Sequence, residues 1–337
     1  MARKIFRAGF GLALAALLAG TVWLVVSLYR PRAFTPEEIL VDIERGTGVG
    51  SVARLLEEKK IIGSRHSFLL YYRLFYFPQK IKAGEYALKS PLRAKDVLDI
   101  LAKGKVFLHT VTIPEGLRAL EIAPLILPFL ADGEDGFMAA FRDIRLIRSL
   151  DGEAENLEGY LYPETYSIPK GLASVEAIGM MVNQFRAVFS ADWLARARTL
   201  GMSIRQVVIL ASLIEKESSI AAERKLVSAV FHNRLRIGMK LDCDPTIIYA
   251  LKQKGLYNGN LTKKDMALDS PYNTYRYPGL PPGPICNPGR GALEAALYPA
   301  DEPYLYFVSR NDGSHHFSRT FAEHQNAVRA LQKKRQP

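Results

Sequence analysis

The sequence predicts an α+β protein behind an N-terminal membrane helix. Three observations carry this. An uncharged apolar run extends from Ala8 to Tyr29. A compact stretch from about Ile39 to Val106 reads as β-α-α-β. The longer remainder mixes helices with short strands and lacks a β-α-β rhythm, which suits α+β rather than a wound parallel sheet.

The run from Ala8 to Tyr29 is roughly 33 Å of helix at 1.5 Å per residue, enough for a hydrocarbon core of about 30 Å. A cleaved signal peptide has an apolar region of about 7–15 residues, and the bulky TVWLVVSLY stretch offers no small-residue cleavage site. The run therefore reads as an uncleaved anchor. Its position at the N-terminus and its basic flanks weigh against a buried core helix. Arg3, Lys4 and Arg7 precede it, and Arg30 and Arg32 follow. The slight excess before the helix places the N-terminus in the cytoplasm and the bulk of the chain outside. The expected organisation is a tail at 1–7, a transmembrane helix at 8–29, a stalk at 30–38, a small module at 39–110 and a larger domain at 111–337.

In the module, ILVDIE reads as a strand broken by Gly46, Gly48 and Gly50. SVARLLEEKK and SRHSFLLYYRLF have helical spacing, KAGEYAL is a strand, and RAKDVLDILAKG is a helix ending at Gly104. The pattern resembles a LysM-type module, a fold that binds N-acetylglucosamine polymers; a small α/β spacer is the equal alternative. Phe68, Tyr71, Tyr72 and Phe75 share one helix face, more often core than sugar platform, with Tyr76 and Phe77 beside them.

In the larger domain, IPEGLRALEIAPLI reads as strand, turn and helix, and EGYLYPETYSIPKG as strand and loop. VEAIGMMVNQFRAVF, ADWLARARTLGM, SIRQVVILASLIEKES and AAERKLVSAVFHNRLRIG read as helices. Ser203 is the N-cap of the third and Gly238 stops the fourth. PYLYFVS is a strand and FAEHQNAVRALQKK a final amphipathic helix.

The 337 residues are 48% hydrophobic and 23% charged, the balance of folded domains. Lys and Arg number 45 against 34 Asp and Glu, a net charge of +11. Such a surplus suits nucleic acid, a lipid surface or an acidic polymer and does not choose among them. No RNP-type strand or recognition-helix signature is present, so nucleic acid ranks low. Cys243 and Cys286 are too few for a disulfide framework or a four-cysteine zinc site; whether they pair is not readable. His315, His316 and His324 lack metal-site spacing. Gly46, Gly48 and Gly50 are not spaced as a phosphate loop, and no G-x-S-x-G elbow occurs.

VVILASLIEKE is the informative stretch. Glu215 and Glu217 point to nearly opposite sides of a helix. The neighbours of Glu215 at three and four residues are Ala211, Ser212, Ser218 and Ser219; those of Glu217 are Leu213, Ile214, Ile220 and Ala221. Desolvation on the apolar face is expected to raise the pKa of Glu217, as a general acid for glycosidic cleavage needs. Glu215 is expected to stay near normal. Spacing alone leaves a paired, structural Glu217 the better odds.

ASLIEKES, FHNRLRIGMKLDCDPTIIYAL, SPYNTYRYPGLPPGPICNPG and PYLYFVSRNDGSHHFSRTFAEHQ, together with IPEG and EGYLYPETY, resemble the YceG-like endolytic murein transglycosylases over nearly the whole chain. The resemblance implies a bitopic inner-membrane enzyme that cuts nascent peptidoglycan strands between N-acetylmuramic acid and N-acetylglucosamine. It leaves 1,6-anhydro-muramoyl ends, so it is a lyase, and it limits strand elongation. The family's catalytic residue falls on Glu217, with Ser218 beside it. Motif position adds Asp244, Thr246, Tyr249, Asn273, Thr274, Tyr275, Tyr160, Tyr162 and Glu164 as substrate-binding candidates. No metal or organic cofactor is implied. The implied partners are glycan strands, the bilayer through one helix and peptidoglycan synthases. A glycan-binding scaffold and a hydrolytic muramidase are the alternatives.

Overall fold

The computed structural model describes residues 2–332. The chain divides into two compact units, residues 1–109 with 167–171, and residues 110–166 with 172–337.

In the first unit, α1 (Ala2–Tyr29) is a single long helix. Its segment Phe10–Tyr29 is long and apolar enough to cross a membrane. β1 (Glu38–Ile43), α2 (Val49–Glu58), α3 (Arg65–Phe75), β2 (Gly84–Lys89) and α4 (Ala94–Lys103) follow in the expected β-α-α-β order. β1 and β2 are antiparallel, with Glu38 opposite Lys89 and Ile43 opposite Gly84. Alternation turns Val41 and Ile43 of β1 inward, against Leu56, Phe68, Leu98 and Leu101 of the helices. Ser64 caps α3 by accepting from the Ser67 N–H. Gly104 ends α4 in the left-handed region at φ 68°, where glycine carries no Cβ penalty.

Residues 30–38, read as a stalk, lie against the module. The backbones of Arg32 and Leu92 exchange two hydrogen bonds of 3.0 Å. The Phe34 N–H donates to Ser90 Oγ, and the Phe34 ring is buried. The last turn of α1 also belongs to this core, because Leu28 is only 2% exposed.

β3 (Leu108–Thr112) forms a two-stranded sheet with β4 (Thr165–Pro169). The second unit is mostly helical: α5 (Ala119–Ile126), α6 (Gly133–Arg142), α7 (Ser174–Val188), α8 (Ala191–Thr199), α9 (Ile204–Glu217), α10 (Arg224–Arg236), α11 (Asp244–Gln253) and α12 (Arg290–Leu297). A hairpin of β5 (Tyr306–Ser309) and β6 (His315–Ser318) precedes α13 (Phe321–Gln332). α9 is the central rod. Every residue from Val207 to Ile214 is buried, and α8, α10, α11 and α12 pack around it. A helix that is apolar all round has to be enclosed in this way. Ser203 Oγ accepts from the Gln206 N–H, and Gln206 Oε1 accepts from the Ser203 N–H, closing a reciprocal cap.

α6, α11, α12 and β6 go beyond the elements expected from the sequence pattern. The helix expected from Ala221 opens instead with a 3-10 turn at Ala221–Glu223, and α10 starts at Arg224.

Candidate active site

Glu217 is the last residue of α9. At Ser218 the backbone becomes extended (φ −116°, ψ 108°), and Ser218 Oγ donates to the carbonyl of Ile220. The chain leaves the helix here, so Ile220 and Ala221 do not cover Glu217 as a continued helix would predict. Ile220 is 37% exposed. The cover comes from elsewhere in sequence. Cys243, the N-cap of α11, hydrogen-bonds through its thiol to the Glu217 carboxyl, and the charges of Asp244 and Arg234 act on it.

Burial is the main cause that lifts Glu217 from 4.5 to about 7. Asp244 pushes the same way, while Cys243 and Arg234 favour the carboxylate. The residue itself is only half-buried. A carboxyl near half-ionised at neutral pH, at the negative end of a helix dipole, holds a proton it can release.

Its surroundings are fixed by a short relay of hydrogen bonds. Thr274 Oγ1 accepts from the Cys243 N–H at 3.0 Å, and Thr246 Oγ1 donates to the Cys243 carbonyl at 2.7 Å. Thr246 and Thr274 hydroxyls meet at 3.0 Å. Asn273 Nδ2 donates to the carbonyls of Met266 and Leu268, shaping the loop. The Tyr275 hydroxyl donates to Asp244 Oδ1 at 2.6 Å. Burial first, then this bond and the charge of Asp244, push the Tyr275 pKa up. Arg234 donates from Nη1 to the carbonyls of Lys240 and Leu241 and to Asp242 Oδ2. It thereby clamps the loop in which Asp242 takes φ +48°, a left-handed value that Asp tolerates better than most residues.

The sequence-derived candidates therefore divide. Ser218, Asp244 and Tyr275 join Glu217. Asn273, Thr274 and Thr246 are buried and spend their polar groups on the loop and on Cys243. Tyr249 is turned toward Tyr272, with rings 4.9 Å apart. Tyr160 is fully buried; its hydroxyl donates to Asp151 Oδ2 at 2.8 Å, and its ring meets Phe185. Tyr162 is buried near Glu115 and Arg290. Glu164 is exposed and accepts from the Thr165 N–H. None of these last four has Glu217 as a partner among the described contacts. Cys243, Arg234 and Asp242 are not among the site residues expected from sequence, although all three fall within FHNRLRIGMKLDCDPTIIYAL.

Glu215 differs from expectation too. Its carboxyl accepts from the N–H of Gly289, the N-cap of α12, at 3.0 Å and from Arg224 at 3.3 Å. Arg224 also reaches Glu115 at 3.3 Å. Burial raises the pKa of Glu215 against these donors and Arg224, so its small polar neighbours did not keep it solvated. Glu215 faces one bundle of partners and Glu217 another, as opposite helix sides require.

His315 pairs with Glu223 at 2.7 Å, and His324 stacks on Tyr306. Cys243 and Cys286 are both free and buried. A cleft of about 1500 Å³ lies along Arg196, Arg205, His232, Arg236 and Pro281. Neither Glu217 nor Cys243 lines it.

The chain is a mixed α+β protein with a glutamate of raised pKa at the end of a buried helix. The chain belongs to the YceG-like family, whose profile matches residues 41–330. It is 31% identical over 303 residues to the endolytic murein transglycosylase of Bacillus subtilis (strain 168), covering 85% of this chain and 83% of that one. It is 29% identical over 360 aligned positions to the endolytic murein transglycosylase of Streptococcus pneumoniae serotype 2 (strain D39 / NCTC 7466), covering 96% of this chain and 65% of the relative's length. The fold is similar to the crystal structure of a yceG-like protein from Listeria monocytogenes. That match has a TM-score of 0.58 and 33% identity, over 87% of this chain and 99% of the other.

Proposed function

We propose that this chain is a lytic transglycosylase that cuts peptidoglycan strands internally, with Glu217 as its single acid–base residue. The observation that carries the reading is the position of Glu217, half-buried at the end of α9 and desolvated enough to titrate near 7. The names of the relatives support the substrate class.

Protonated Glu217 gives its proton to the glycosidic oxygen as the bond from the muramoyl anomeric carbon breaks. The resulting carboxylate takes the proton of the muramoyl 6-hydroxyl, whose oxygen closes on the same carbon. No water is consumed, and one carboxyl serves both steps. Holding the hydroxyl close makes the second step effectively unimolecular. Ser218, Asp244 and Tyr275 are the residues we assign to sugar positioning.

The same reading sets the chain in the inner membrane through α1, with its catalytic unit outside, cutting nascent strands beside peptidoglycan synthases and so limiting strand length. It gives the first unit a LysM-like affinity for glycan. Retention on sacculi of the Glu217→Gln protein, lost when the first unit is altered, tests that affinity.

Hydrolysis is the second reading, because Asp244 places a second carboxylate within electrostatic reach of Glu217, and hydrolytic glycosidases use two. Digestion of uncrosslinked glycan by the full chain, read by mass spectrometry, decides. Internal fragments with anhydro ends, absent with Glu217→Gln, support the lyase. Ends heavier by one water support hydrolysis. Equal anhydro product from the variant removes Glu217 from its role.

A further inference from the structure

α3 and the two residues that follow it divide their large side chains between inside and outside. Phe68 is fully buried, and Tyr71, Tyr72 and Tyr76 pack on the module core. Leu70, Leu74, Phe75 and Phe77 turn outward, exposed by 44%, 61%, 69% and 71%. Apolar side chains this exposed and this close together mark an interaction surface. A sugar platform would set flat rings among hydrogen-bonding groups, whereas this patch sets them beside two leucines.

The same helix touches α1. Leu24 packs against the core of the unit, Leu28 lies within it, and α1 contacts both α3 and α4. The hydroxyls of Tyr29 and Tyr71 are hydrogen-bonded. The Tyr71 ring lies 4.8 Å from the ring of Phe75, so one side chain separates the end of α1 from the exposed patch. Leu24 sits roughly 7.5 Å along the helix axis before Tyr29. An element packed on the last turns of a spanning helix lies at the membrane border. Trp23 and Tyr29, exposed by 50% and 47%, suit the aromatic belt found at that depth. Arg73 and Lys80 flank the patch, exposed and without a carboxylate partner among the described residues.

We propose that the outward end of α3 is a second membrane contact. Leu70, Leu74, Phe75 and Phe77 enter the interface of the bilayer that α1 spans, and Arg73 and Lys80 meet anionic lipid phosphates. The inference rests on the reading of α1 as the anchor.

The test uses the full chain in vesicles of phosphatidylethanolamine and phosphatidylglycerol. A fluorescent label is attached at Phe75→Cys, Phe77→Cys, Val22→Cys in α1, or Glu44→Cys beyond the far end of β1. The native cysteines are buried, and the unsubstituted chain serves as the labelling blank. Quenchers are lipid-borne nitroxide and aqueous iodide. The expected result is several-fold stronger lipid quenching at 75 and 77 than at 44, with matching protection from iodide. Arg73→Gln with Lys80→Gln should reduce that protection in anionic vesicles. Lipid quenching at 22 with iodide access at 75 and 77 equal to that at 44 would overturn the proposal while sparing the anchor. Absence of lipid quenching at 22 would overturn the anchor reading and the patch with it. Protection at 75 conferred by soluble glycan fragments, and not by lipid, would reassign the patch to sugar.

Discussion

The thiol of Cys243 is hydrogen-bonded to the carboxyl of Glu217, and two threonines lock the Cys243 backbone from either side. The bond favours the carboxylate, opposing burial and Asp244. Cys243→Ala should therefore raise the pKa of Glu217 and move the alkaline limb of kcat/KM to higher pH, by up to about one unit for a weak donor. Cys243→Ser restores a donor and should return the limb toward its original place. Identical pH profiles for all three proteins would show that the thiol does not tune the acid.

Burial lifts Glu217 from 4.5 to about 7, so the folded chain holds a proton that the unfolded chain releases earlier. Glu158, also buried, is lifted to about 7 against donors from Ala119 and Asn287. The stabilising contribution of these two carboxyls is then full below about pH 4.5, falls between there and pH 7, and is absent above. Glu217→Gln removes one of these two contributions. At pH 8 the variant should be inactive yet more stable than the parent, by on the order of 2–3 kcal/mol. Thermal unfolding at pH 5 and pH 8 checks it, and a variant less stable at pH 8 would sink the account of a desolvated carboxyl.

Glu215 holds the N-terminus of α12 through Gly289 rather than facing the Glu217 partners. Glu215→Gln keeps an acceptor for that N–H and should leave the pH profile of cutting unchanged. Glu215→Ala should cost about 1–2 kcal/mol of stability, the usual cost of a lost helix cap. A collapse of kcat in Glu215→Gln at unchanged stability would place Glu215 in the chemistry instead.

Asn287 ties three motifs together. Its Oδ1 accepts from the N–H groups of Gly159 and Leu161, both at 2.9 Å, and its Nδ2 donates to the Leu117 carbonyl and Glu158. Asn287→Ala strands several buried groups and should cost about 3 kcal/mol or more. Gly159→Ala should be comparably damaging. Gly159 sits at φ +87°, and a Cβ there would come 2.6 Å from Pro284 Cγ and 2.7 Å from Val208 Cγ1. Denaturant midpoints of the two variants provide the check.

The helices with long apolar periods were legible, α9 above all, together with the Ser203 cap and the glycine stops at Gly104 and Gly238. α11 was hidden because it opens on Asp244–Pro245, which locally reads as a turn although Pro suits a first helical turn. α12 was hidden because Pro288, Gly289 and Gly291 crowd its start. In the site, the two faces of α9 could be separated by spacing. The pKa of Glu215 could not, since its desolvation comes from elements distant in sequence. Tyr160, Tyr162 and Tyr249 show the same limit: a tyrosine-rich motif names residues without saying which way they turn.

Leu28 closes the core of the first unit from within α1, with Leu24 packed beside it. Cutting the chain at the membrane border to obtain a soluble enzyme therefore does more than untether it. The cut pulls a plug from a small hydrophobic core and leaves apolar walls open to water. A shortened protein beginning at Arg30 is a packing mutant as well as a truncation, and loss of activity in it would say little about whether the bilayer itself is required.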